Sequence, residues 1–220
     1  MTLSPLADLL SRKRLLLFDL DGTLVDSSPL HARAFAETFA PEGVAVHYPD
    51  IAGMTTAAAV DKLAGESGVA LAPERRAQLI AAKKLRALEL IDSELSPIDG
   101  ALAFVAAAQE RFPLALCTSA SRRGAEATLA RVGLQGVFAP IVTGDDVARG
   151  KPDPECFLAA LAWHGAAPED ALVFEDAQSG LEAAHAAGIE AVRVVSSDGR
   201  ESERDADWAM LGSALAELGR

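Results

Sequence analysis

One string in the sequence is dense in reactive side chains. It is Asp19-Leu20-Asp21-Gly22-Thr23-Leu24-Val25-Asp26, directly after the apolar run Leu15–Phe18. Carboxylates at i and i+2 of an extended chain point to the same side. Two like charges that close repel by about 4 kcal/mol at an effective dielectric near 20. A cation, or a proton held on one acid, must offset this. Gly22 permits a tight turn that presents backbone N–H groups. Three more places offer compatible groups. Thr118 and Ser119 follow Leu114–Cys117, Lys151 stands in Gly150-Lys151-Pro152-Asp153-Pro154, and Glu175-Asp176 follows Ala171–Phe174. Each has a plain alternative: an acidic turn, a hydroxyl turn, a surface lysine before a helix, or charge in a first helical turn.

The elements implied by the pattern bring these groups to one edge. Short continuous apolar runs at Leu15–Phe18, Leu114–Cys117, Pro140–Thr143, Ala171–Phe174 and Ala191–Val195 read as buried strands. Helical patterns fall between them at Ala101–Arg111, Arg123–Val132, Pro154–Trp163 and Gln178–Ala187, with Gly133 and Gly188 placed as C-caps. This alternation predicts an α/β fold, a doubly wound parallel sheet with helices on both faces. It is interrupted once. From about Pro29 to Ser96 the pattern is helical, with Ser28-Pro29 as a start signal and helices predicted to about Ala40, over Thr56–Glu66, and from Pro73 to about Ile91. The predicted organisation is a Rossmann-like core of residues 1–28 and 97–220 with a helical module, residues 29–96, inserted after the first strand. On the third insert helix, Ala77, Ile80, Ala81, Leu85, Leu88 and Ile91 share a face. Lys84 falls inside that stripe and Lys83 outside it. Lys84 either snorkels along its stem or meets an anion at a cavity edge.

Ligands of open parallel sheets bind at the carboxyl ends of the strands. There, Asp19, Asp21, Glu175 and Asp176 suit a hard divalent cation with oxygen ligands, Mg²⁺. Lys151, the two hydroxyls and the Gly22 turn suit phosphate oxygens. One carboxylate can attack phosphorus and a second can move protons.

Composition restricts the partners. In 220 residues, 20 Lys+Arg stand against 32 Asp+Glu, a formal charge of −12. Such a chain is a poor binder of nucleic acid or anionic lipid. Two cysteines cannot make a disulfide framework, and no apolar stretch approaches a membrane span. A cytoplasmic monomer acting on a small phosphorylated metabolite is expected.

With these motifs in order, the chain resembles the haloacid-dehalogenase superfamily of phosphohydrolases with a helical cap, over about Leu15 to Val195. Val173-Phe174-Glu175-Asp176-Ala177-x-Ser179-Gly180 is the most specific part of the likeness. The resemblance implies Asp19 as nucleophile and Asp21 as general acid/base. It implies Thr118 and Lys151 on the transferring phosphoryl group, with Gly22, Thr23 and Ser119 nearby. It implies Mg²⁺ on Asp19, the Asp21 carbonyl and Asp176, with Glu175 acting through water. Thr118 and Ser119 leave two registers for the hydroxyl motif. Asp21 argues against the namesake dehalogenases and phosphonatase-like members, which lack the second acid. Sugar-phosphate phosphatases and β-phosphoglucomutases remain. Both can carry a His in the first cap helix, where His31 stands. The mutases grip a second phosphate with an Arg after a cap Gly, and this chain has Gly53-Met54-Thr55-Thr56. The expectation is therefore an Mg²⁺-dependent sugar or polyol phosphatase, with mutase as the alternative. His31, Met54, Thr55 and Lys84 are the cap residues expected to face substrate. Phosphoacceptor receiver domains, a non-enzyme alternative, share Asp, Thr and Lys but lack the insert and the Asp-x-Asp-Gly-Thr order.

Overall fold

A computed structural model describes residues 3–195, 202 and 205–219. Its strands are β1 Leu15–Phe18, β2 Leu114–Cys117, β3 Ile141–Val142, β4 Ala171–Glu175, β5 Glu190–Val194 and β6 Asp205–Ala206. They form one sheet in the order β3-β2-β1-β4-β5-β6, and every pairing is parallel. Chain order reverses at β1, between β2 and β4, which makes that edge the topological switch point where ligands of such sheets bind. The fold is the predicted Rossmann-like α/β architecture.

The helices among the described residues are α1 Pro5–Ser11, α2 Ser28–Phe39, α3 Thr56–Glu66, α4 Pro73–Glu94, α5 Ala101–Ala108, α6 Arg122–Arg131, α7 Glu155–His164, α8 Gln178–Ala186 and α9 Trp208–Glu217. The sheet is covered on both faces. Leu16 and Phe18 of β1 join one apolar cluster with Phe104, Phe174 and Trp208. Leu15 and Leu17 point the other way into a second, with Phe157, Val173 and Ala183. This is the period-2 alternation of a strand buried on both sides.

Helices α2, α3 and α4 stand between β1 and α5. They carry a third apolar cluster that includes Phe35, Phe39, Ile51, Val60, Leu63 and Leu79. Leu30 and Ala34 of α2 and Ala87, Leu90 and Ile91 of α4 belong instead to the main cluster. The inserted module is thus anchored at both its ends in the sheet's own core.

Three details differ from the sequence pattern. Helix α2 begins one residue early, with Ser27 at its N-cap and no side-chain cap bond, because the Ser27 hydroxyl is committed to Asp21 at 2.6 Å. The elements α1, β6 and α9 carry no pattern that predicts them. The buried face of α4 is rotated by about one residue. Leu79, Lys83, Ala87, Leu90 and Ile91 are buried, and Leu85 is 58% exposed.

Candidate active site

Four side chains converge at the strand ends. Asp19 follows β1, Glu175 ends β4 and Asp176 follows it. Lys151, buried in the segment after β3, reaches between two of them. Its Nζ donates to Asp19 Oδ1 at 2.6 Å and to Glu175 Oε2 at 2.7 Å. The Asp19 N–H donates to the Phe174 carbonyl at 3.0 Å, so the β1–β4 ladder runs up to the site. Carboxylate oxygens of Asp19, Glu175 and Asp176 lie within 4.8 Å of one another.

Three acids against one lysine leave unbalanced negative charge. Burial first, then Glu175, push the Asp176 carboxyl up to about 7, against the opposing hydrogen bond from Thr23 and the charge of Lys151. Burial, with Glu175, Asp176 and Asp21, likewise raises Asp19 well above its ordinary value, against the charge of Lys151. For Lys151 burial works against the charge, but Asp19 and Glu175 outweigh it and the ammonium is held firmly protonated. Crowded hard oxygens that hold protons for want of a counter-charge are a suitable donor set for a divalent cation. Asp19, Glu175 and Asp176 therefore fit Mg²⁺.

Asp21 has different company. Its Oδ1 accepts from Ser27 Oγ at 2.6 Å and lies 3.1 Å from His31 Nε2. On the far side of the ring, His31 Nδ1 lies 3.0 Å from the buried Lys83 Nζ. An ammonium has no acceptor, so Nδ1 accepts and Nε2 carries the proton given to Asp21. Burial alone would raise Asp21, but His31, Ser27 and Lys83 together bring it down to about 2.

Not every expected residue faces the cavity. Asp19, Asp21, His31, Met54, Thr118, Ser119 and Asp176 line it. Thr118 Oγ1 accepts from the Ala120 N–H at 3.1 Å and keeps its own proton for a ligand. Ser119 Oγ donates to the Gly53 carbonyl at 2.5 Å, so it fastens the cap. Gly22 and Thr23 are engaged behind the acids. The Gly22 N–H is taken by the Val25 carbonyl at 2.9 Å. At its φ of +88° a Cβ would run into the Asp176 carboxylate. Thr23 Oγ1 donates to Asp176 Oδ1 at 2.9 Å, while the Thr23 carbonyl accepts from Trp208 Nε1 at 2.9 Å. Thr55 caps α3 through the Ala58 N–H at 3.2 Å and sets its methyl against Gly150, and Thr56 lines the cavity in its place. Lys84 pairs with Asp145 at 3.2 Å on the outside and also edges a small adjoining cavity. Lys83 holds the interior position that the apolar stripe suggested for Lys84. The side chain of Asp21 stands outside the three-acid cluster, which leaves its backbone carbonyl as the group it could offer a metal.

The cap loop closes over this arrangement. Besides the Ser119 bond, Ser179 Oγ donates to the Ala52 carbonyl at 3.3 Å. The enclosed space is about 40 Å³, room for a few waters and far less than a sugar.

A family model for haloacid dehalogenase-like hydrolases matches residues 13–188. The chain belongs to that family. This haloacid dehalogenase-like hydrolase is 34% identical over 193 residues to validoxylamine A 7′-phosphate phosphatase of Streptomyces hygroscopicus subsp. limoneus, covering 87% of this chain and 90% of the relative. It is 34% identical over 179 residues to the phosphorylated carbohydrates phosphatase of Thermotoga maritima, covering 80% and 82%. Among solved structures, CbbY from Rhodobacter sphaeroides in complex with phosphate superposes with a TM-score of 0.79 at 29% identity, over 93% of this chain and 99% of that one. The chain is a phosphoric monoester hydrolase of the superfamily. Among the described residues, no helix is long and apolar enough to cross a membrane.

Proposed function

We propose that this hydrolase releases phosphate from a sugar or polyol monophosphate through a phospho-aspartyl intermediate on Asp19, with Mg²⁺ as cofactor and the module of residues 29–96 as its cap. The observation that carries this reading is the division of labour between the two acids. Asp19 sits on Lys151 at 2.6 Å, and Asp21 is held apart by Ser27 and His31. The relatives named as phosphatases of validoxylamine A 7′-phosphate and of phosphorylated carbohydrates support the substrate class.

Asp19 attacks phosphorus, and the bond to the leaving alcohol breaks. Asp21 gives that alcohol its proton. In the substrate-free site Asp21 is ionised, and a phosphate dianion arriving beside it raises its pKa so that it carries the proton in. Asp21 then takes a proton from water, which attacks the phospho-aspartate and returns Asp19 with free phosphate. Lys151 and the Thr118 hydroxyl steady the transferring oxygens. Asp19, Glu175, Asp176 and the Asp21 carbonyl would hold Mg²⁺, which supplies positive charge against the phosphoryl oxygens and keeps Asp19 ionised. The cap excludes water once closed.

A phosphate-release screen over hexose, hexitol, pentitol and glycerol monophosphates, with and without EDTA, tests this reading. Metal-dependent release from at least one of them is expected. Full activity in metal-free buffer, or release confined to nucleotides or pyrophosphate, would overturn it.

A further inference from the structure

No motif points to Tyr48. It lies in a single 3-10 turn, Tyr48–Asp50, between α2 and α3, yet it lines the same cavity as Asp19, Asp21 and Asp176. Its ring packs near Phe35, with centroids 6.4 Å apart. Ser28, at the start of α2, lines the same cavity. Burial, followed by the charges of Asp21, Asp176 and Asp19, pushes the phenol up from its ordinary value, so it stays protonated and neutral. A neutral phenol has a proton to give.

The rest of the cap wall sharpens the meaning of that proton. Ile51, Ala52 and Met54 contribute apolar or short side chains. Lys83 is the cation among the lining residues. It is already engaged by His31 Nδ1 at 3.0 Å and by the Phe35 ring at 4.5 Å. The wall opposite the acids therefore offers hydroxyls, and its one ammonium is committed elsewhere. Such a wall suits a leaving group that is neutral and rich in hydroxyls.

We propose that Tyr48 and Ser28 select the leaving group, the phenol donating to a hydroxyl or ether oxygen of an uncharged polyol or sugar. This inference rests on the phosphatase reading above and adds the determinant of its specificity. A leaving group with a second phosphate finds no uncommitted cation on this wall and is disfavoured.

Steady-state phosphate release from neutral sugar and polyol monophosphates, from fructose 1,6-bisphosphate and from p-nitrophenyl phosphate tests the idea. The wild type should prefer a neutral polyhydroxy ester over the bisphosphate. Tyr48→Phe should lower kcat/KM for that preferred ester about tenfold, the loss expected for one hydrogen bond to substrate, and change p-nitrophenyl phosphate by less than about twofold. Ser28→Ala should act in the same direction and more weakly. A preference for the bisphosphate, or equal losses on both kinds of ester, or no loss in either variant, would overturn the selection role. If the wild type releases phosphate from no ester at all, the phosphatase reading itself fails. If it does so and the ester ratio is unmoved by Tyr48→Phe, only the hydroxyl pair fails.

Discussion

Lys83 Nζ and His31 Nδ1 lie 3.0 Å apart, both inside the protein and both in the cap. Because an ammonium can only donate, this contact places the imidazole proton on Nε2, the nitrogen that faces Asp21. Asp21 is thereby linked, through His31, to a residue 62 positions further along the chain (83 − 21 = 62).

Lys83→Met should free the imidazole to take the other tautomer and weaken its hold on Asp21. A fall of roughly tenfold or more in kcat is expected for esters with poor leaving groups, where protonation matters most. Lys84→Met, which loses only an exposed pair with Asp145, should stay close to wild type. Parallel kinetics on the two variants check this, and equal effects would contradict the relay.

Lys83 also predicts a pH signature in stability. Burial brings its pKa down from 10.5 to about 8, against the charge of Asp21. Between those values the unfolded chain binds a proton that the folded protein does not. This group therefore makes stability rise with pH across about 8 to 10.5 and contributes no slope below 8. Urea midpoints measured over that window should show a rise in wild type that Lys83→Met lacks.

The acids give the opposite slope without metal. Asp176 is raised from 3.8 to about 7, so the folded state holds the extra proton between those values. Its contribution to stability is present below pH 4 and lost as pH climbs through 7. Added Mg²⁺ should flatten or reverse this loss by binding the folded state. Melting temperatures from pH 4 to 8 in EDTA and in Mg²⁺ decide it, and identical curves would count against the metal site.

Asp19→Asn should abolish turnover, because an amide cannot attack phosphorus. It should also raise the melting temperature of the metal-free protein, since one of three crowded carboxylates is removed and Lys151 keeps Glu175. Retention of more than a few per cent of kcat would remove Asp19 from the nucleophile's place.

The choice between hydrolysis and phosphoryl return can be read from products. Glucose 1-phosphate with a trace of glucose 1,6-bisphosphate should yield free phosphate, because the Met54–Thr56 wall has no cation to hold a second phosphate. Efficient, bisphosphate-dependent formation of glucose 6-phosphate would favour a mutase.

The core site was legible because continuous apolar runs mark buried strands and polar groups stand at their ends. Asp19, Lys151, Glu175 and Asp176 needed only the parallel-sheet inference to be brought together. The cap was less so. Periodicity follows only the apolar positions, which set the α4 stripe on Leu85, with Lys84 inside it and Lys83 outside. Its burial depends on His31 and Phe35, from another helix, and no local pattern encodes that. Tyr48 lies in a turn without periodicity. Strand β6 has two residues, too few to alternate, and Trp208 acts through a carbonyl 185 positions away.

Over the site, the loop before α3 meets the core through the backbone carbonyls of Ala52 and Gly53, grasped by Ser179 and Ser119. Gly53, at φ +75°, has no room for a Cβ against Ser179. Contacts written in main chain do not depend on neighbouring side chains. Positions 54 and 56 can therefore be exchanged for others, reshaping what the enzyme accepts, while the closing geometry survives. A scaffold of this kind lets new substrate preferences arise by single substitutions without rebuilding the contact over the site or the chemistry.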